Sequence, residues 1–222
     1  MRIHTLTLYT AKLQEMAAFY ARLGFSVHQE EHAFSLTAGA STLRFVAREG
    51  FSGGYHFAFN APEHLMQQVF EDLRQKVDLC YIREDQSYFA DFQNWNAHAL
   101  YFLDPDGNIV EYIGRHNLNH QDAENLLPLS ISEIGLVTRD VSALIECLKA
   151  QVGVDHFRPA LADFAPLGTD EGLFIVSRNG RPWYPVGHPA KLLPLVVEVE
   201  TSGGRFRMEV EEDPLDGQIQ QL

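Results

Sequence analysis

Apolar and polar positions alternate in HTLTLYT, residues 4–10, and a period of two predicts a strand. The period then lengthens. In KLQEMAAFYARLG, residues 12–24, Leu13, Met16, Phe19, Tyr20 and Leu23 fall at helical spacing, and Gly24 supplies a C-cap. Three short runs follow, FSVHQEE, HAFSLTAG and STLRFVAR, with small residues at the turns between them. The predicted unit is β-α-β-β-β.

The unit recurs. YHFAFNA, residues 55–61, predicts a strand, and PEHLMQQVFEDLRQKV, residues 62–77, predicts a helix with Pro62 near its start. LCYIRED, HALYFL and NIVEYIG predict three more strands. A third copy opens at SEIGLVTRDVSALIECLKAQVGV, which aligns with the first strand, turn and helix after one extra residue. GLFIVSR and LLPLVVEVE predict strands, but TSGGRFRMEVE passes to another strand without a helix, so the fourth unit reads as truncated. Such repetition is an architectural signal in itself. Residues 1–116 read as a complete pair of units, 117–130 as a polar connector, and 131–222 as a third unit plus a truncated fourth. The acidic tail EEDPLDGQIQQL is expected to be loose.

The most informative stretch is HALYFLDPDGNIVEYIG, residues 98–114. Pro105 pre-sets the second turn position, and Gly107 suits the fourth position or a left-handed bulge. In the strand after the turn, Ile109, Glu111 and Ile113 share one face. A carboxylate on such a face is costly unless something pairs with it.

Paired β-α-β-β-β units ending in YFLDPDGNIVEYI resemble the vicinal oxygen chelate superfamily. Its members include glyoxalase I, fosfomycin-resistance thiol transferases, methylmalonyl-CoA epimerase, extradiol ring-cleaving dioxygenases and bleomycin-binding proteins. The resemblance covers the first 116 residues well and residues 131–200 more weakly. The fold class it implies is α+β, with tandem βαβββ units forming a curved mixed sheet cup and helices outside. Units one and two would form the complete cup, and the remainder would shield it or mediate homodimerisation. The resemblance also implies one divalent metal (Fe, Mn, Zn or Ni), held by the first strand of each unit and the last strand of the second. Two His and one carboxylate leave open positions for substrate or dioxygen.

Glu111 matches the carboxylate, and His56, opening HFAFN, matches a first-strand His. Alternation turns Phe57 and Phe59 to the helix and His56, Ala58 and Asn60 to the cup. In the first unit the aligned ligand position is Thr5, a poor metal ligand, while His4 shares a face with Leu6 and Leu8. A bulge at the strand start would be needed to turn His4 inward. Arg44 stands where some members carry a Glu, either clamping an anionic ligand or as a solvated strand arginine. The resemblance places Tyr101 in the cup as a substrate-facing acid or hydrogen-bond donor, against the plainer reading of a strand aromatic. Trp95 reads as a stacking residue at the mouth or as a loop anchor. Glu133 aligns with the ligand position in the third unit and is expected to be a surface residue. Alternation puts His98 on the face opposite Tyr101, and the HNLNH spacing of His116 and His120 reads as coincidence. The loop with Trp183 and Tyr184 would cover the site or bury the join between halves.

Bulk properties narrow the partners. The net charge is −13, from 30 acidic and 17 basic residues, which disfavours nucleic acid and anionic membranes. The two cysteines, Cys80 and Cys147, show no metal or disulfide spacing and are expected as buried thiols. With no signal peptide or long apolar run expected, a cytoplasmic setting is the default. No nucleotide-binding loop or nucleophile elbow is present. Two functions remain open. One is a metal-dependent lyase or ring-cleaving dioxygenase acting on a small oxygen-rich substrate. The other is a metal-free, bleomycin-type binding protein.

Overall fold

The structure, a computed structural model, describes residues 1–118 and 123–222; His120 lies outside the described residues. The fold is α+β, with helices packed outside a curved mixed sheet. The first unit comprises β1 (Arg2–Thr10), α1 (Leu13–Leu23), β2 (Val27–Gln29), β3 (Ala33–Ala38) and β4 (Ser41–Ala47). As the sequence predicts, Gly24 closes α1 in the left-handed region, at φ 107°. The second unit comprises β5 (His56–Asn60), α2 (Met66–Leu73), β6 (Ala90–Phe92), β7 (Ala97–Leu103) and β8 (Ile109–Arg115). A 3₁₀ turn over Glu63–Leu65 leads into α2, so the helix is shorter than its apolar spacing suggests.

The third unit comprises β9 (Ser130–Thr138), α3 (Val141–Val152), β10 (Phe164–Thr169) and β11 (Gly172–Arg178). Asp140 caps α3 by accepting from the Ala143 amide at 3.0 Å. The last unit is β12 (Leu195–Thr201), β13 (Gly204–Val210) and β14 (Gln218–Gln221), with no α-helix among them.

Three local expectations change. LCYIRED is not a regular strand; only Leu79 and Ile82 make isolated bridges, and β6 follows later. The tail is not loose. β14 pairs antiparallel with the edge of β13, and buried Asp213 accepts from Thr138 Oγ1 at 2.8 Å and the Arg139 amide at 2.9 Å. The two thiols are free but only half-buried.

The larger difference is which units pair. β5 is flanked by β8 on one side and by β9 on the other, so the second unit joins the third. β1 is flanked by β4 and β12, so the first unit joins the fourth. β1 and β9 touch through the single pair Ile3 and Ile131, and this links all 14 strands into one sheet. Chain path explains the choice. Ile113 and Ser130 both register with Asn60, from opposite sides of β5. The end of β8 and the start of β9 therefore lie one strand apart, about 10 Å, on the two edges of β5.

Alternation then separates two cores. Phe57, Phe59, Phe102, Tyr112, Ile134 and Phe174 pack under the helices. Ala58, Tyr101, Ile109, Ile113, Ile175 and Trp183 form a smaller cluster on the concave face.

Candidate functional site

The DPDGN turn positions one wall of that concave face. Asp104 is buried and accepts from the Asp106 and Asn108 amides at 3.0 Å, from Asn108 Nδ2 at 2.9 Å and from the Tyr20 hydroxyl at 3.0 Å. Gly107 takes a φ of 76°, the left-handed turn position foreseen for it. Asn108 in turn accepts from the Tyr55 amide at 3.0 Å, which ties the turn to the start of β5. β7, β8 and β5 are thereby locked in register, with Tyr101 opposite Glu111 and Glu111 beside Ala58.

Ala58 also registers with Glu133 on its other side. The small residue lies between two carboxylates, with His56 two residues away on the same face. One ligand atom from each of His56, Glu111 and Glu133 lies within 4.8 Å of the others, and all three residues are buried. His56 Nε2 stands 3.7 Å from Glu111 Oε2. Its Nδ1 faces the Ile109 carbonyl at 3.3 Å, so Nδ1 carries the proton and Nε2 turns a lone pair to the carboxylates.

Burial dominates the electrostatics. It pushes His56 down to about 4, which leaves the imidazole neutral at pH 7. It pushes Glu111 well above the carboxylate range, helped by the charge of Glu133. Burial also raises Glu133, against the opposing charge of Arg115. Tyr101 is raised by burial and then by Glu111, to which its hydroxyl donates. Arg115 is 1% exposed; it pairs with Glu133 and donates to Ser132 Oγ at 3.2 Å. Its guanidinium lies between the rings of Trp95 and Phe157, 5.9 and 5.5 Å from their centroids. The cup thus holds two carboxylates against one fully buried cation.

The two carboxylates, whose ionised forms a bound cation would stabilise against burial, and the free Nε2 lone pair fit a divalent metal. One nitrogen and two carboxylates suit Mn²⁺, Fe²⁺ or Zn²⁺. The fourth register position is apolar. Glu133 leads two residues on to Gly135, whose partner on β11 is Ile175, as Glu111 is the partner of Ala58. The third unit therefore contributes one donor, and coordination positions stay open.

Trp183 roofs the site, with its ring centroid 4.9 Å from that of His56. Gly135 makes room for it: a Cβ there would meet Trp183 Cζ2 at 3.0 Å. Phe92, Trp95 and Tyr184 complete a cavity of about 140 Å³.

His4, Thr5 and Arg44 are not brought to this cup. β9 intervenes between β1 and β5. The register does shift between Ile3 and Thr5, yet His4 turns to Glu200 at 2.8 Å. Arg44 pairs with Glu30 at 2.7 Å. In the first-and-fourth pair, Thr7 registers with Arg44 and with Val196, and among the described residues that half holds no matching donor set. Glu133 is the residue whose role changes most. Its alignment with a ligand position was visible, but a buried place beside Glu111 follows only from β5–β9 pairing. Arg115, at the end of β8, gave no local signal.

No family model matches the chain, and no curated protein matches its sequence. Solved structures do match. A Bacillus subtilis protein provisionally named a dioxygenase superposes with a TM-score of 0.60 at 13% identity, over 91% of this chain and 82% of its own. Glyoxalase I from Zea mays superposes with a TM-score of 0.59 at 14% identity, over 96% of this chain and 89% of its own. Together with the paired βαβββ units, these superpositions show that the chain has the fold of the vicinal oxygen chelate superfamily.

Proposed function

We propose that this protein is a metal-dependent enzyme of glyoxalase or ring-cleaving dioxygenase type, acting on a small oxygen-rich molecule in the cup between the second and third units. The observation that carries the reading is the convergence of His56, Glu111 and Glu133 in a buried cavity. These three residues would hold a divalent cation, which supplies Lewis acidity toward adjacent substrate oxygens. Arg115 holds Glu133 in place and offsets its charge. Tyr101, which registers with Glu111, would donate a hydrogen bond or a proton to a substrate oxygen. Trp183, Tyr184 and Phe92, which line the cavity, would flank a flat ligand. The cavity volume limits the reacting portion, since a space of roughly 150 Å³ accommodates a benzene ring.

The test is elemental analysis of untagged protein, repeated on His56→Ala. About one equivalent of iron, manganese, zinc or nickel that disappears in the variant supports the reading. Protein that stays metal-free after incubation with each ion overturns it. Ile175 at the fourth register position favours a second reading, a metal-free binding protein in which the aromatic walls do the binding. Under that reading, ligand affinity survives both chelation and Glu111→Gln.

A further inference from the structure

A second group of donors lies outside the cup. On the face of the β7–β8 hairpin opposite Tyr101, His98 registers with Gly114, and His116 follows two residues later on the same side. Glu63, in the 3₁₀ turn before α2, completes the group: one ligand atom from each of Glu63, His98 and His116 lies within 4.8 Å of the others. His116 Nδ1 meets Glu63 Oε1 at 2.9 Å. That contact fixes the tautomer, with the proton on Nδ1 and a lone pair on Nε2. His98 Nδ1 faces this lone pair at 3.4 Å, long for a hydrogen bond. Two imidazole nitrogens bound to tetrahedral zinc at 2.0–2.1 Å stand about 3.4 Å apart. The pair therefore already has the separation a zinc ion requires. The Glu63–His116 contact has the form of the carboxylate that orients a metal-ligating histidine.

Two further observations point the same way. His98 is held below its ordinary value by burial and by His116, so its ring is neutral and able to ligate at pH 7. Asp91 stands directly across from His98 on β6 and adds negative charge beside the pair. We propose that His98 Nδ1 and His116 Nε2, with Glu63 orienting His116, form a second divalent-cation site of zinc type that clips the α2 entry turn to the end of the β7–β8 hairpin. Water completes the coordination at this partly exposed rim.

Zinc titration of the chelator-treated full chain tests this, with His116→Ala and Glu63→Gln as variants. His116 is exposed, so its replacement leaves the core intact. The same titrations in a Glu111→Gln background count zinc at the cup separately. The expected result is one equivalent of zinc lost in His116→Ala in both backgrounds, and an affinity 10- to 100-fold weaker in Glu63→Gln, roughly the usual loss for such an orienting group. Zinc at about 100 times its dissociation constant should raise the Tm of the Glu111→Gln protein by about 5 °C or more, and His116→Ala should abolish that rise. Equal zinc stoichiometry with and without His116 overturns the proposal. So does a Tm response that His116→Ala leaves unchanged.

Discussion

Arg115→Met isolates the electrostatics of the cup. The methionine keeps much of the arginine stem's volume but removes the fully buried cation of the cup. In the metal-free protein burial drives Glu111 toward its neutral form, and Arg115 is the charge that opposes the same effect of burial on Glu133. Without Arg115, Glu133 must either stay charged in an apolar site or take up a proton. Breaking a buried pair costs about 3–5 kcal/mol. Protonation sets a ceiling: at pH 7 a glutamate of ordinary pKa, near 4.3, is neutralised for about 4 kcal/mol. The expected loss at pH 7 is therefore about 3–4 kcal/mol. At pH 5 the same protonation costs only about 1 kcal/mol, so most of the penalty should vanish. The assay is urea unfolding followed by tryptophan fluorescence, with chelator present, at both pH values. For a chain of this size the pH 7 loss corresponds to a Tm lower by about 6–16 °C. Adding Glu133→Gln should recover most of it, because the carboxylate then left behind, Asp170 at 3.7 Å from Arg115, is partly exposed to solvent. A loss that is the same at both pH values, or that Glu133→Gln does not relieve, refutes the reasoning.

Other consequences follow from the same geometry. In the unfolded chain His56 takes up a proton near pH 6.5, whereas the folded chain refuses it until about pH 4. Its contribution is thus fully present above pH 6.5 and is lost as pH falls toward 4, by about 3 kcal/mol in all. The stabilities of the chelated wild type and His56→Gln should converge or cross over that interval, and parallel profiles would count against a buried neutral imidazole. Gly135→Ala should displace the Trp183 indole, costing about 1–3 kcal/mol and shifting the fluorescence of the roof; unchanged emission and stability would show that the roof is not seated as described. Asp104→Ala strands the Asp106 and Asn108 amides and the Tyr20 hydroxyl, and should cost about 3 kcal/mol or more in urea unfolding. A loss under about 1 kcal/mol would remove Asp104 from its role as the anchor of the turn.

Local periodicity was enough to reveal the repeat, the strand–helix order of the units and the DPDGN turn with its left-handed Gly107. It also placed Tyr101 and Glu111 together, because residues on adjoining hairpin strands inherit their register from the turn between them. The face assignment of His56 and Ala58 follows from the same period of two, as does that of His98 on the opposite side. These are short-range properties, set by neighbours two to ten residues away.

Which units pair is a different kind of fact. Every first strand has a free edge, and hydrogen bonds along an edge are nearly indifferent to side-chain identity. The choice of β9 for β5 and of β12 for β1 rests on connector path and on packing across distant parts of the chain. That choice alone brought Glu133 beside Glu111 and left His4, Thr5 and Arg44 in the other half. The same strand pairing aligned the end of β8 with Ser132 and Glu133, so the buried partner of Arg115 was decided only in three dimensions. The sequence determined which side chains face inward; the tertiary structure decided which of them share a cup.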